Sequence, residues 1–142
     1  MARTTLQSDV TNATTSSADV TGLSFPVIAG RTYRFRAVCV VTTNATTTGI
    51  GLGVNGPAMT SLWWRTHIPT TTSTDTIAHG TALDTYTAST DSAATAGNVC
   101  IVEGVCIPSA DGTVVVRNKS EVAVASGNVV KAGSTIEWHM VK

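Results

Sequence analysis

Apolar and polar side chains alternate along most of this chain with period two, the repeat of a β-strand. The alternation is clearest from Arg31 to Val41. Tyr33, Phe35, Ala37, Cys39 and Val41 point one way, and Arg34, Arg36, Val38 and Val40 point the other. Such a strand begins half exposed and ends covered on both sides. Ile50, Leu52 and Val54 alternate with Gly49, Gly51 and Gly53, so one face of that strand has no side chains. A bare face lets another backbone or side chain approach closely. Asn98 to Ile107 is apolar at both parities, with Glu103 its only charge. That pattern predicts a central strand covered on both sides. In the last strand, Thr135 to Val141, Ile136, Trp138 and Met140 oppose Glu137, His139 and Val141.

Weaker segments fill in the rest. Pro26 confines the strand at Val20–Ile28 to a sheet edge or a bulge. Trp63 and Trp64 are consecutive on the strand Met59–Ile68, so they face opposite sides and at most one joins the main core. Thr76–Ala88 reads as a weak strand through Ile77, Leu83 and Tyr86, and Thr113–Arg117 and Val122–Val130 complete the set. Turn signals recur about every 8–12 residues, which predicts an all-β fold of about 8–10 short strands. An antiparallel β-sandwich or jelly roll with no significant helix fits that spacing. Residues 1–18, anchored only by Leu6 and Val10, read as an N-terminal arm or edge strand, and 19–142 as a single β-sandwich domain. Val27-Ile28-Ala29-Gly30-Arg31-Thr32-Tyr33-Arg34-Phe35 is echoed by Val130-Lys131-Ala132-Gly133-Ser134-Thr135-Ile136-Glu137-Trp138. The echo reads as one Ala-Gly turn used twice, since a solenoid needs several repeats.

Composition supports the β reading and narrows the function. The chain has 142 residues, the size of one domain. Thr and Val, stiff at χ1, dominate where Leu, Glu, Lys and Gln would favour helix. Charged residues make up 13% of the chain, against roughly a quarter in ordinary globular proteins. Lys+Arg and Asp+Glu cancel at 9 each, and the mean hydropathy is +0.19. Little colloidal repulsion follows, which suits a protein that lives in an assembly; a monomer with a large core is the alternative. No basic stripe marks a nucleic-acid surface. No apolar run is long enough to span a membrane, and no charged-then-apolar opening predicts a signal peptide. Cys39, Cys100 and Cys106 are an odd number in a chain without a leader, so reduced, buried thiols are expected.

Candidate chemistry is sparse. No nucleophile elbow is present, and His67, His79 and His139 have no patterned neighbours. No closely spaced ligand set predicts a metal. Asp84 and Asp91 fall in polar loops, and Glu103 stands inside an apolar strand. Burial would raise the Glu103 carboxyl; the plainer expectation is that it meets Arg34 or Arg36, or sits at an interface. We therefore expect no enzymatic activity, no catalytic residue and no cofactor. Interface residues are expected at Trp63, Trp64, Arg65 and Glu103, because aromatic and arginine side chains anchor protein contacts.

Several stretches carry a family likeness. They are Thr5-Leu6-Gln7-Ser8-Asp9-Val10-Thr11-Asn12, Asp19 to Val27 with Ala29 to Phe35, Thr47-Thr48-Gly49, Asn55-Gly56-Pro57, Ile101-Val102-Glu103-Gly104 and Val130 to Glu137. Together these resemble small virion structural proteins of tailed bacteriophages and prophages. The resemblance implies a β-sandwich component of the particle, made in the host cytoplasm and assembled as a homo-oligomer, with a trimer expected. Its favoured placement is a head decoration, or cement, protein on the capsid surface, binding the major capsid protein and itself. Its alternative is a tail fibre or spike tip that binds a host-surface glycan. A sugar-processing module unrelated to phage would need clustered carboxylates or a groove of exposed aromatics, and the sequence shows neither.

Overall fold

The structure, a computed structural model, describes residues 1–142. Its strands are β1 (Ala2–Thr5), β2 (Val10–Asn12), β3 (Ala18–Val27), β4 (Tyr33–Thr42), β5 (Ile50–Asn55) and β6 (Met59–Pro69). They continue with β7 (Asp75–Gly80), β8 (Asn98–Pro108), β9 (Gly112–Ser120), β10 (Asn128–Val130) and β11 (Thr135–Met140). No helix forms, in keeping with the scarcity of helix formers. An eight-stranded sheet runs β1-β11-β4-β8-β6-β7, with β10 paired to β4 and β2 to β10. A three-stranded sheet, β3-β9-β5, packs across it. Every pairing is antiparallel, so the fold is the β-sandwich that the alternation predicts.

The core lies between the sheets. Tyr33, Phe35, Ala37, Cys39 and Val41, the inward parity of β4, are all buried, as are Ile50, Leu52 and Val54 of β5. From the small sheet, Phe25 stacks on Trp138 at 5.3 Å between ring centroids and tilts against Phe35 at 5.7 Å. Pro26 sits where a residue without an N–H is tolerated: β3 is the edge of the small sheet, and its register with β9 shifts between Asp19 and Ser24 around a left-handed Gly22. Residues 1–18 contribute two strands to the large sheet. β1 lies at its edge, and Leu6 between them is buried.

The sequence echo proves to be part of a larger structural repeat. Ile28 O accepts from Arg31 N–H, and Lys131 O from Ser134 N–H, each at 3.2 Å. Gly30 and Gly133 hold φ of +75° and +92°, the left-handed third position of a type II turn. In each turn the alanine N–H is capped by an aspartate: Ala29 by Asp111 and Ala132 by Asp9, both at 2.8 Å. The glycine N–H groups bond Pro108 O and Leu6 O at 2.8 and 2.9 Å. Registers agree as well. Tyr33 pairs with Cys106 as Ile136 pairs with Thr4, and Val27 with Gly112 as Val130 with Val10. So β8, β9, β3 and β4 have counterparts in β1, β2, β10 and β11. The two units join where β4 and β11 pair, about Phe35 and Trp138.

Between β7 and β8 the chain leaves the large sheet. Strand structure ends at Gly80 instead of continuing to Ala88. Residues 84–89 instead lie along the outer side of β5, on the face its glycines leave bare. Asp84 N–H bonds Val54 O, and Ser89 N–H bonds Ile50 O, each at 2.9 Å. Arg117 of β9 pairs with Asp84 at 2.6 Å, and Lys119 Nζ donates to Tyr86 O at 2.7 Å. The Tyr86 ring meets Trp64 edge-on at 6.5 Å. A Cβ at Gly49 would lie 1.5 Å from Ser89 O, whereas one at Gly51 would meet mainly the flexible Lys119 stem at 2.5 Å. Gly49→Ala should therefore cost roughly 1–3 kcal/mol or more, as overpacking against fixed backbone does. Gly51→Ala should cost clearly less, because Lys119 can swing away. Urea unfolding midpoints of the two variants check the order; equal losses would refute this account of the glycine strand.

Candidate functional site

Cross-strand partners in an antiparallel ladder share a face, so the registers define what the outer side of the large sheet displays. One row crosses six strands: Arg3 on β1, Glu137 on β11, Arg36 on β4, Glu103 on β8, Arg65 on β6 and His79 on β7. Below it run Thr135, Val38, Ile101, His67 and Ile77. Val40 and Val99 pair beyond them. Above the charged row run His139, Arg34, Val105 and Trp63. Strand β8 is thus central in the sheet but not covered on both sides. Cys100, Val102 and Cys106 are buried, whereas Val99 on its outer side is 60% exposed. The longest connection, between β7 and β8, packs against β5 and leaves this side bare.

Glu103 is the centre of the charged row. Its carboxylate takes the Arg65 Nε–H at 2.7 Å and lies 3.5 Å from Arg36 Nε. Trp63 stands beside this pair, 53% exposed. Met1, Arg34, Trp63, His79, Glu103 and His139 are among the residues that rim a shallow depression of about 710 Å³. Trp64 points the other way. It is buried, and its Nε1–H bonds Ala82 O at 3.0 Å. Of the four residues singled out from sequence, the structure therefore gathers Trp63, Arg65 and Glu103 on one face and places Trp64 in the core. Arg36, Glu137, Arg3 and Val99 share that face with them. Strand parity gives the outward direction of Arg36 and Glu137, but only pairing register puts them in one line.

Nothing on this face is arranged for metal binding: no three His, Cys, Asp or Glu side chains converge. The face can offer apolar contact at its two flanks and charge-assisted hydrogen bonds along its middle. No helix of the chain is long and apolar enough to cross a membrane. No protein-family model, no curated protein and no solved structure matches the chain.

The thiols lie on the opposite, inner side. Cys39 and Cys100 are cross-strand neighbours in β4 and β8, both free and buried. Burial pushes the Cys39 thiol up to about 12 and the Cys106 thiol up to about 11, and it raises Cys100 as well. Burial also lifts the Tyr86 hydroxyl to about 12. Held in the core as thiols, these cysteines are poor nucleophiles.

The native state holds the cysteine protons more tightly than the unfolded chain, whose thiols ionise near 9.0. Their stabilising contribution is complete below that pH and is lost as pH climbs toward 11 to 12. The urea midpoint should fall between pH 8 and about 10.5, and less steeply in Cys39→Ala; a flat profile would contradict the burial of these groups. Glu103→Gln should cost under about 1 kcal/mol in the isolated chain, because its partners Arg36 and Arg65 are 55% and 58% exposed. A loss several times larger in the same urea assay would show that Glu103 has a deeper structural role.

Proposed function

We propose that this chain is a structural protein of a bacteriophage virion, a head decoration protein that binds the major capsid protein lattice and stabilises it as an oligomer. One observation carries the reading: the outer face of the large sheet is uncovered, with Trp63, Ile77 and Val99 exposed around an ordered row of charges. A face of this make-up matches the anatomy of protein interfaces, aromatic and arginine side chains among apolar ones. The family resemblance supplies the particle. On a lattice, many weak contacts of this kind act together, and binding the assembled state stabilises it by mass action.

A second reading has its own support. Trp63 at the rim of the depression, beside Arg34, Arg65 and Glu103, could stack a sugar ring and bond its hydroxyls. That would suit a tail fibre or spike tip binding a host-surface glycan. One experiment separates the two. The purified chain is mixed with phage heads assembled without it, sedimented, and located by immunogold microscopy on intact particles. A decoration protein saturates the heads and raises the temperature at which they lose DNA. Label confined to the tail, with no binding to heads, would overturn the proposal; loss of host attachment in Trp63→Ala would then support the glycan reading.

A further inference from the structure

The charge pattern of the uncovered face points to its occupant. In register across β11, β4, β8 and β6, the row reads Glu137, Arg36, Glu103, Arg65: minus, plus, minus, plus. An alternating row with an even number of members is complementary to its own reverse. We propose that a second copy of this chain docks face to face on this sheet, about a two-fold axis parallel to the strands and midway between β4 and β8. The inference takes from the proposed function only that this face is an assembly surface, here between copies, so that contact with a capsid falls to the other surfaces of the dimer; it does not depend on the particle.

The axis exchanges β4 with β8, β11 with β6 and β1 with β7, and keeps each row at its own height. Arg36 then lies over the second copy's Glu103, and Glu137 over its Arg65. Each contact occurs twice, as an isologous interface requires. The apolar flank agrees with the same axis, while Arg34 falls over the second copy's Val105 and Arg3 over its His79. Val38 falls over the second copy's Ile101, and Val40 over its Val99. On the far side Trp63 meets His139. Neighbouring axes do worse. An axis along β4 or β8 sets Arg36 or Glu103 over itself. One in the β11–β4 or β8–β6 seam keeps opposite charges together but leaves the strands at one end unpaired. The β4–β8 seam alone covers all six strands.

The area is close to what an interface needs. Strands lie about 4.8 Å apart and rise about 3.3 Å per residue. With 4 to 11 residues in each, the six strands span roughly 760 Å² in outline, and a standard interface takes about 800 Å² from each partner. Twisted sheets pack aligned within about 30°, so the long Arg36 and Arg65 side chains can follow their partners across the angle.

Charge reversal with complementation tests the arrangement. Arg65→Glu sets two glutamates against each other across the axis, and Glu137→Arg sets two arginines. By sedimentation equilibrium on the full chain without particles, each variant should weaken the wild-type dimer at least about tenfold. An equimolar mixture of the two should form a heterodimer within about threefold of wild-type affinity, since both crossings then pair opposite charges. Within each chain the reversed residue still faces its unfavourable neighbour, so only a contact between chains can produce the recovery. Where either variant fails to melt cooperatively, Arg36→Glu mixed with Glu103→Arg reads the other crossing in the same way. A wild-type monomer at about 100 μM, well above the micromolar dissociation constants at the weak end for interfaces of this size, overturns the inference. So does a dimer indifferent to the reversals, or a mixture no tighter than its components. A monomer that still decorates heads would sink this inference and leave the proposed function standing; a dimer that ignores heads would do the reverse.

Discussion

Two packed sheets have four faces, and this chain covers the two inner ones and part of a third. The inner faces cover each other through Phe25, Phe35, Trp138 and the β-branched residues around them. Part of the third, β5 and the adjoining Arg117 and Lys119 of β9, is covered by residues 84–89, while Asp19 and Pro26 of β3 stay exposed; that cover is possible only because β5 has glycine at every second position. With side chains at 49, 51 and 53, neither Ser89 O nor the Tyr86 ring could reach the strand. The segment would be driven off, and Arg117 and Lys119 would lose the partners they find in it. The glycine strand thus decides where the crossover settles. The outer face of the large sheet receives no such cover.

The fold was legible where a single strand carries its own evidence. The parity of Tyr33 to Val41 gave the buried set of β4 directly, and Pro26, read as edge or bulge, sits on the edge strand β3 in regular register. Segments whose state depends on distant partners were not legible. Leu83 and Tyr86 looked like strand residues, yet their apolar surfaces pack onto the core from a crossover, not from within a ladder. The repeat was half visible. Its two Ala-Gly turns share a local sequence, so the echo shows. The capping halves, Leu6 to Asp9 and Pro108 to Asp111, share only a carbonyl and a carboxylate three residues apart. A backbone carbonyl carries no sequence signal, so this part of the repeat appears only in the bonding.

The face was legible in its residue types and not in its order. Trp63, Arg65 and Glu103 stood out because aromatic and charged side chains interrupt apolar strands. Trp64 stood out equally and belongs to the core, since two adjacent tryptophans offer no local sign of which one turns inward. Glycine resolves the choice: Gly80, the cross-strand partner of Trp64, leaves room for the indole on the inner side, where a Cβ would meet Trp64 Cζ2 at 2.8 Å. The apolar outer parity of β8 was read as burial on both sides. In the single chain it is surface, and a positional pattern alone cannot distinguish a residue covered by its own fold from one covered by a partner.

The same ambiguity gives the charged row its meaning. A face of Val40, Val99, Val38 and Ile101 alone would bind other apolar faces in many registers, and open sheets without such control aggregate. Charges placed across the middle change the energetics of slippage. Displacing a face-to-face partner by one strand turns every opposite pair into a like pair, while displacing it by two strands restores the signs but leaves part of each face uncovered. Each arginine and glutamate loses hydration on contact, so the row adds little net affinity. Its contribution is to select one register among those the apolar flanks would accept. Glu103 is central to that selection. Already held by Arg36 and Arg65 within its own chain, it presents a fixed negative centre instead of a mobile one, and a second copy meets a surface that is organised before it arrives.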